Sequence, residues 1–211
     1  MKNIKHQILD TAIKLFNKSG FKNVAISQIA SEIGISNGNL NYHFKKKDDL
    51  MLAIFERMDE EQGEILIRFK SYPNLKGFIE QTDIFYRFQL KYRFFYLDTL
   101  EIGRAYPKIS EAHRKYSLRS IQHIRDSLEY GVKRGVFQLE PFPDAYDYLA
   151  YTIWMKGAFW LVQMEILQKD CKDTEVFIHS FTSLWQPYLT SKGLEELKAI
   201  KQLGITKNTN I

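Results

Sequence analysis

The sequence predicts an all-α protein, and three observations lead to that fold class. Apolar residues recur at helical spacing along the chain, whereas no segment shows the alternation that is typical of β-strands. The 211 residues include 11 glycines and only 5 prolines, so long uninterrupted helices can form. Apolar residues make up 45% of the chain, which suits a buried core and is too much for a disordered protein.

Local signals delimit the helices in order along the chain. A stripe of apolar side chains predicts the first helix, and Gly20 follows its end as a glycine commonly does. Ser27 and Ser36 each begin a short helix as an N-cap, the fourth helix begins near Lys47, and Pro73 follows its break. Later boundaries lie next to Pro107, Pro141, Pro143 and Pro187. The predicted helices span about residues 4–18, 27–33, 36–42, 47–70, 75–91, 93–105, 108–134, 143–169, 173–190 and 193–203.

Positive charge is concentrated in the first 47 residues. This segment carries eight lysines against Asp10 and Glu32, a net charge of +6, whereas the rest of the chain carries 22 basic and 23 acidic residues. The asymmetry points to a polyanionic partner for the first quarter of the chain. Charge alone still favours the alternative interpretation, a solvated basic face.

Residues 27–44 combine a tight turn with an unusually polar short helix. Ala30 is small where two helices approach closely, and Gly34 supplies the positive φ that a tight turn needs. The core between the helices is expected to contain Ile29, Ile33, Ile35 and Leu40. The second helix then exposes Asn37, Gly38, Asn39, Asn41 and Tyr42. This pattern is typical of a helix-turn-helix, whose second helix enters the DNA major groove, where asparagine can bind adenine. The alternative is an ordinary short helical pair.

Two segments contain sets of residues at fixed distances from one another along the sequence. They read Ala12-x-x-Leu15-Phe16-x-x-x-Gly20-Phe21 and Ile29-Ala30 … Gly34-Ile35-Ser36-x-Gly38-x-Leu40-x-x-His43-Phe44-x-x-Lys47-x-x-Leu50. Together, over residues 5–55, they resemble the N-terminal signature of TetR-type transcription regulators. The chain departs from that family at Asn41, where the family usually has a tyrosine that touches the DNA backbone. Either that contact is absent or Tyr42 makes it, and Asn41 is then able to read a base.

The resemblance implies roles for single residues. Ser27, Gln28 and Ser36 would meet phosphates through hydroxyl and backbone N–H groups. Tyr42 and His43 would touch the sugar-phosphate backbone, and Lys47 would anchor a phosphate. The expected DNA-binding residues are Ser27, Gln28, Ser36, Asn37, Gly38, Asn39, Asn41, Tyr42, His43 and Lys47.

The resemblance also implies an architecture and a function. An N-terminal three-helix helix-turn-helix DNA-binding domain (1–46) would be joined by a long helix to a larger helical effector-binding and dimerisation domain (47–203), followed by a disordered tail (204–211). The expected function is that of a repressor, released from an inverted-repeat operator in double-stranded DNA by a small-molecule effector. An activator or a regulator without an effector is the alternative, and an all-helical enzyme or carrier is the least expected function.

Two later helices predict a homodimer. Gly157 and Ala158 leave room for a partner backbone, and residues 173–190 carry a broad apolar stripe at helical spacing. The expected interface residues are Ile153, Gly157, Ala158, Leu161, Phe177, Phe181, Leu184, Trp185 and Tyr188. The alternative is that both stripes face the core of their own chain.

Nine aromatic residues lie between positions 78 and 106, more than one helical face buries in a simple core. The family holds its effector in this region, so we expect a pocket for a small apolar or aromatic molecule. Its expected lining is Tyr86, Tyr92, Phe95, Tyr96 and Trp154, with plain packing as the alternative for each residue.

Other classes of protein find little support. The five histidines show no i,i+3 or i,i+4 pairing for a metal, and no phosphate-binding glycine loop is present, so we expect no enzyme, metal or cofactor. His123 and Asp126 are interpreted as a surface pair.

The sixteen apolar-rich residues 149–164 contain Lys156 and are too short for a membrane span of about 20 residues. The N-terminus lacks the apolar run of a secretory signal and Cys171 is the only cysteine, so we expect a cytoplasmic protein.

Overall fold

The computed structural model describes residues 4–69, 74–170 and 173–202. The predicted break at Pro73, Cys171 and the tail at 204–211 lie outside the described residues. The described part contains the α-helices α1 (Ile4–Ser19), α2 (Ile26–Ile33), α3 (Asn37–His43), α4 (Lys47–Phe69), α5 (Leu75–Lys91), α6 (Arg93–Leu97), α7 (Thr99–Ala105), α8 (Pro107–Lys133), α9 (Ala145–Ile166), α10 (Thr174–Trp185) and α11 (Ser191–Gln202). Within it, β-type pairing is limited to one isolated bridge, between Phe137 and Leu189. The all-α prediction is confirmed.

The predicted helix at 93–105 is in fact two helices, α6 and α7, which meet at Asp98. The backbone of Asp98 has φ −113° and ψ 21°, away from helical values. The Thr99 hydroxyl donates to the carbonyl of Phe95 at 2.7 Å, and such a bond to the residue four positions back bends a helix. No proline or glycine marks this break in the sequence.

One compact unit of the chain consists of residues 1–63 and 89–112. The ring of Phe16, fully buried on α1, lies edge-on to that of Phe94 on α6, with centroids 5.3 Å apart. Asn17 closes the gap between α5 and α6, because its Oδ1 accepts the Phe94 N–H at 2.9 Å and its Nδ2 donates to the Lys91 carbonyl at 2.8 Å. Two backbone groups that the helix break leaves unpaired are satisfied in this way. This unit carries α2 and α3.

The other unit consists of residues 64–88 and 113–211 and is described as far as residue 202. Its helices α9 and α10 meet at Gly157, where an added Cβ would lie 3.1 Å from the ring of Phe181. The ring of Tyr86 on α5 stacks on that of Phe177 on α10, with centroids 4.0 Å apart. Aromatic rings therefore form much of this core. The functional boundary predicted at residue 46 is a different division and stays a prediction.

Candidate nucleic-acid interface and ligand cavity

The turn between α2 and α3 is the one that the sequence predicts. Gly34 has φ +79°, and its N–H and that of Ile35 both donate to the carbonyl of Ala30 at 3.0 Å. Ile29 and Leu40 are fully buried between the helices. Only glycine adopts this backbone conformation freely, so the turn depends on Gly34.

The beginning of α2 differs from the prediction. Ala25, not Ser27, is the N-cap residue. The Oε1 of Gln28 accepts the Ala25 N–H at 2.6 Å, so the side chain of Gln28 satisfies the helix start. Ser27 lies exposed in the first turn, which leaves its hydroxyl available to a partner.

The beginning of α3 confirms Ser36 as an N-cap, since its hydroxyl accepts the Asn39 N–H at 3.1 Å. Five of the residues that follow are exposed as predicted: Asn37, Gly38, Asn39, Asn41 and Tyr42. Tyr42 is 85% exposed. Its ring meets that of His43 edge-on, with centroids 5.3 Å apart, and His43 is half-buried. The structure thus presents α3 as an open, uncharged, hydrogen-bonding surface.

Lys47, the phosphate anchor that the sequence predicts, also makes contacts within its own chain. Its Nζ donates to the carbonyl of Phe21 at 2.5 Å and to that of Lys22 at 3.3 Å, and it lies 4.4 Å from the centroid of the Phe21 ring. Burial lowers the pKa of Lys47, and Asp48 opposes this shift. The ammonium group thus already holds two backbone carbonyls of its own chain, and the phosphate contact stays a prediction. The neighbouring Lys45 and Lys46 are exposed.

Most of the predicted interface residues are buried within their own chain, and the others are partly exposed. Six of the nine pack inside their own chain and cannot form the surface of a dimer: Ile153, Gly157, Leu161, Phe177, Phe181 and Trp185. Three are half-exposed: Ala158, Leu184 and Tyr188. The prediction for the six is wrong because α9 is apolar on both faces, and periodicity does not show which face the chain itself covers.

The opposite face of α9 carries large apolar side chains in contact with solvent. We call it the exposed α9 face, and it consists of Tyr148, Tyr151, Met155, Phe159 and Ile166, which are 42–74% exposed. Their spacing places them on one side of the helix. Lys156, within the predicted buried stretch, donates to the carbonyl of Ser180 at 3.0 Å. None of the helices in the described ranges is long and apolar enough to span a bilayer.

The second unit contains a partly open cavity of about 70 Å³. Its lining is Ile65, Leu66, Phe78, Gln81, Thr82, Phe85, Tyr116, Ser120, His123, Ile124, Ile153, Trp154, Gly157 and Phe181. The Nε2 of His123 and the Oε1 of Gln81 are 3.2 Å apart. His123 therefore lies in the cavity wall, and its electrostatic interaction with Asp126 is retained beside this contact. Asp126 is exposed and accepts a hydrogen bond from Gln122 at 2.8 Å.

Of the five predicted pocket residues, the structure brings only Trp154 to this cavity. Tyr86 is buried against Phe177. Tyr92, Phe95 and Tyr96 belong to the other unit, where they are buried. The hydroxyl of Tyr96 there accepts a hydrogen bond from Gln62 at 3.0 Å. High aromatic density indicated core packing at these four positions, so we correct their predicted role.

A helix-turn-helix with an open polar second helix defines a helical DNA-binding protein. Family comparison agrees, since residues 8–54 match the model described as bacterial regulatory proteins of the tetR family, and residues 49–197 match TetR, described as bacterial transcriptional repressor. The chain therefore belongs to the TetR family of transcriptional regulators.

Similar proteins share the DNA-binding segment or the fold. The HTH-type transcriptional regulator AcrR of Shigella flexneri is 31% identical over 67 residues, which are 32% of this chain and 31% of that protein. The chain thus spans less than a third of that relative's length. A TetR-family regulator from Marinobacter aquaeolei is 22% identical with a TM-score of 0.77, covering 95% of this chain and 98% of its own. A protein from Saccharomonospora viridis, solved in complex with choline, is 22% identical with a TM-score of 0.71, covering 90% and 98%.

Proposed function

We propose that this chain is a dimeric transcriptional repressor, released from an inverted-repeat operator in double-stranded DNA by a small-molecule effector, and that it works in the cytoplasm. The observation that carries the proposal is the outward face of α3, which is polar, uncharged and open. The family description as a transcriptional repressor supports the sign of regulation.

Asn37 and Asn41 are proposed to read bases, because an asparagine can form two hydrogen bonds with adenine. Gly38 supports a close approach of the duplex. A Cβ at position 38 would meet only the Ser36 hydroxyl, at 3.8 Å, so packing does not require glycine there. A glycine within a helix costs roughly 0.5–1 kcal/mol relative to alanine, so an external partner explains Gly38 better than the fold does.

Phosphates are proposed to contact groups around α3. Four side chains are exposed and able to reach a phosphate: the hydroxyls of Ser27 and Tyr42 and the ammonium groups of Lys45 and Lys46. His43 remains a candidate for a backbone contact. Lysine contacts set affinity and its salt dependence, whereas Asn37 and Asn41 would set sequence preference.

A second copy of the chain is proposed to cover the exposed α9 face. A helix that is apolar on both faces is normally buried on both. A two-fold axis presents the same patch of each copy to the other, so one apolar face suffices for both. Ala158, Leu184 and Tyr188, the three half-exposed residues of the predicted interface, are proposed to lie at its edge. Two-fold pairing of the DNA-binding helices also accounts for an inverted-repeat operator.

The cavity of the second unit is proposed as the effector site. It is concave and mostly apolar, with a few polar side chains that can orient a ligand. The choline complex of the Saccharomonospora viridis protein supports the idea that this fold can hold a small molecule. An effector that prefers one conformation of the dimer would shift the DNA-binding equilibrium.

The proposal is tested by fluorescence anisotropy with the duplex upstream of the protein's own gene and a scrambled duplex, over a series of salt concentrations. For both duplexes, the logarithm of the affinity should fall linearly with the logarithm of the salt concentration. Asn41→Ala should reduce the preference for the upstream duplex by about 1–3 kcal/mol and leave binding to the scrambled duplex unchanged. Gln122→Ala, on the exposed side of α8, is the control and should change neither. Salt-independent or absent binding to both duplexes would contradict the DNA-binding role.

A further inference from the structure

The polar part of the cavity wall comes from α5 and α8. In the tautomer with the proton on Nε2, His123 donates to the Oε1 of Gln81, and the Gln81 amide then keeps both N–H donors. No acceptor for these two N–H groups is present among the residues that the structure describes. The hydroxyls of Thr82 and Ser120 donate to carbonyls of their own helices, at 2.8 and 3.0 Å. The Gln81 amide is therefore a donor that a ligand can use, and Trp154 with its indole N–H and Tyr116 with its hydroxyl also belong to the lining.

The cavity has no ionised side chain in its described lining. Burial lowers the pKa of His123, and nearby Asp126 only partly offsets this, so the imidazole is neutral at neutral pH. A buried ligand charge without a partner is strongly unfavourable. The lining therefore disfavours both cationic and anionic ligands.

The remaining wall is aromatic and aliphatic. α9 and α10 contribute Ile153, Trp154, Gly157 and Phe181, and the ring of Phe78 lies on α5. Flat rings of this kind pack well against an aromatic or cyclic ligand body. The described wall is thus mostly apolar, and the His123–Gln81 pair is a hydrogen-bonding group within it, so a ligand is expected to be mostly apolar with one polar group that meets this pair.

We infer that the cavity binds an uncharged molecule with an apolar, ring-sized body and one oxygen function, a hydroxyl or carbonyl, that accepts a hydrogen bond from the Gln81 amide. This inference rests on the proposed effector role of the cavity. It goes further by assigning the ligand's charge, its polar group and the residue that recognises it.

Four probes with one carbon skeleton test the inference on the full chain by isothermal titration calorimetry at neutral pH. Benzyl alcohol is the uncharged probe with an oxygen, toluene lacks the oxygen, benzylammonium is the cation and benzoate is the anion. Benzyl alcohol should bind at least about tenfold more tightly than either ion, because neither ion finds a counter-charge. Toluene should bind about fivefold more weakly than benzyl alcohol, because it leaves the Gln81 amide unpaired.

Two variants of Gln81 test the recognising residue. Gln81→Leu should weaken benzyl alcohol about fivefold and leave toluene unchanged, which also shows that the cavity is intact. Gln81→Glu places a carboxylate in the wall and should make benzylammonium the tightest of the four probes. Gln122→Leu, a matched glutamine outside the lining, should alter no affinity.

Three results would overturn the inference: an ion that binds the unmodified protein as tightly as benzyl alcohol, no binding of any probe up to its solubility, or equal losses for toluene and benzyl alcohol in Gln81→Leu. DNA binding is measured separately, without these probes. The ligand class can therefore fail while the DNA-binding role stands, and the reverse outcome is equally visible.

Discussion

Lys47 shows how one side chain can serve the fold at a position where the sequence predicts a contact with DNA. Its ammonium group ties the start of α4 to the carbonyls of Phe21 and Lys22 in the loop after α1. These carbonyls lie 25 and 26 residues away along the chain, so no local pattern reveals them. Ser36 and Gly34 were predicted correctly because an N-cap and a left-handed turn depend on neighbouring residues alone.

Replacing Lys47 should therefore lower the stability of the protein more than its affinity for DNA. Lys47→Met keeps the apolar stem but removes the donor from two carbonyls, and the free energy of unfolding should fall by about 1–3 kcal/mol. Urea unfolding followed by circular dichroism measures this loss.

Lys46→Met is the matched control, because Lys46 is exposed. It should leave stability unchanged and lower the slope of log affinity against log salt by about one, as expected for one lost phosphate contact. A Lys47→Met protein of normal stability with the same lowered slope would restore the phosphate anchor that the sequence predicted.

Among the helices, α9 shows most clearly which property the sequence predicts and which property only the structure reveals. Its apolar length correctly predicts a helix that packs against other helices. One face packs against α10 at Gly157, and the exposed α9 face meets solvent in the single chain. Periodicity does not separate the two, because apolar residues lie on both of these opposite faces of the helix.

Phe159→Glu should break the proposed dimer and leave the single chain folded. Phe159 is 44% exposed, so the single chain tolerates a polar residue there. In a two-fold dimer the variant would bury two unpaired carboxylates, which should weaken association by at least about 3 kcal/mol, on the order of a hundredfold. Analytical ultracentrifugation measures the change.

Leu100→Glu is the control for this variant, because it places the same charge on an exposed leucine of α7, outside α9 and α10. Its association should match that of the unmodified protein. If Phe159→Glu also dimerises normally, the exposed α9 face is not the interface.

For the molecule as a whole, the proposed regulation requires that ligand and DNA affect each other equally. A saturating concentration of benzyl alcohol should lower the affinity for the upstream duplex by a factor within roughly 5–150. Saturating duplex should lower the affinity for benzyl alcohol by the same factor, since linkage is reciprocal. Anisotropy and calorimetry measure the two factors independently. A ligand that binds without changing the affinity for the duplex would indicate a regulator without an effector switch.

The sequence by itself determined the helical class, the turn at Gly34, the polar face of α3 and the family, because these depend on periodicity and backbone preference over a few residues. Only the tertiary structure decided which face of α9 is covered, what Lys47 holds and where the cavity lies. Gln81 and His123 meet across 42 positions of sequence. Such contacts arise from the packing of whole helices. The spacing of apolar residues predicts that a helix packs against other elements, but it does not identify those elements.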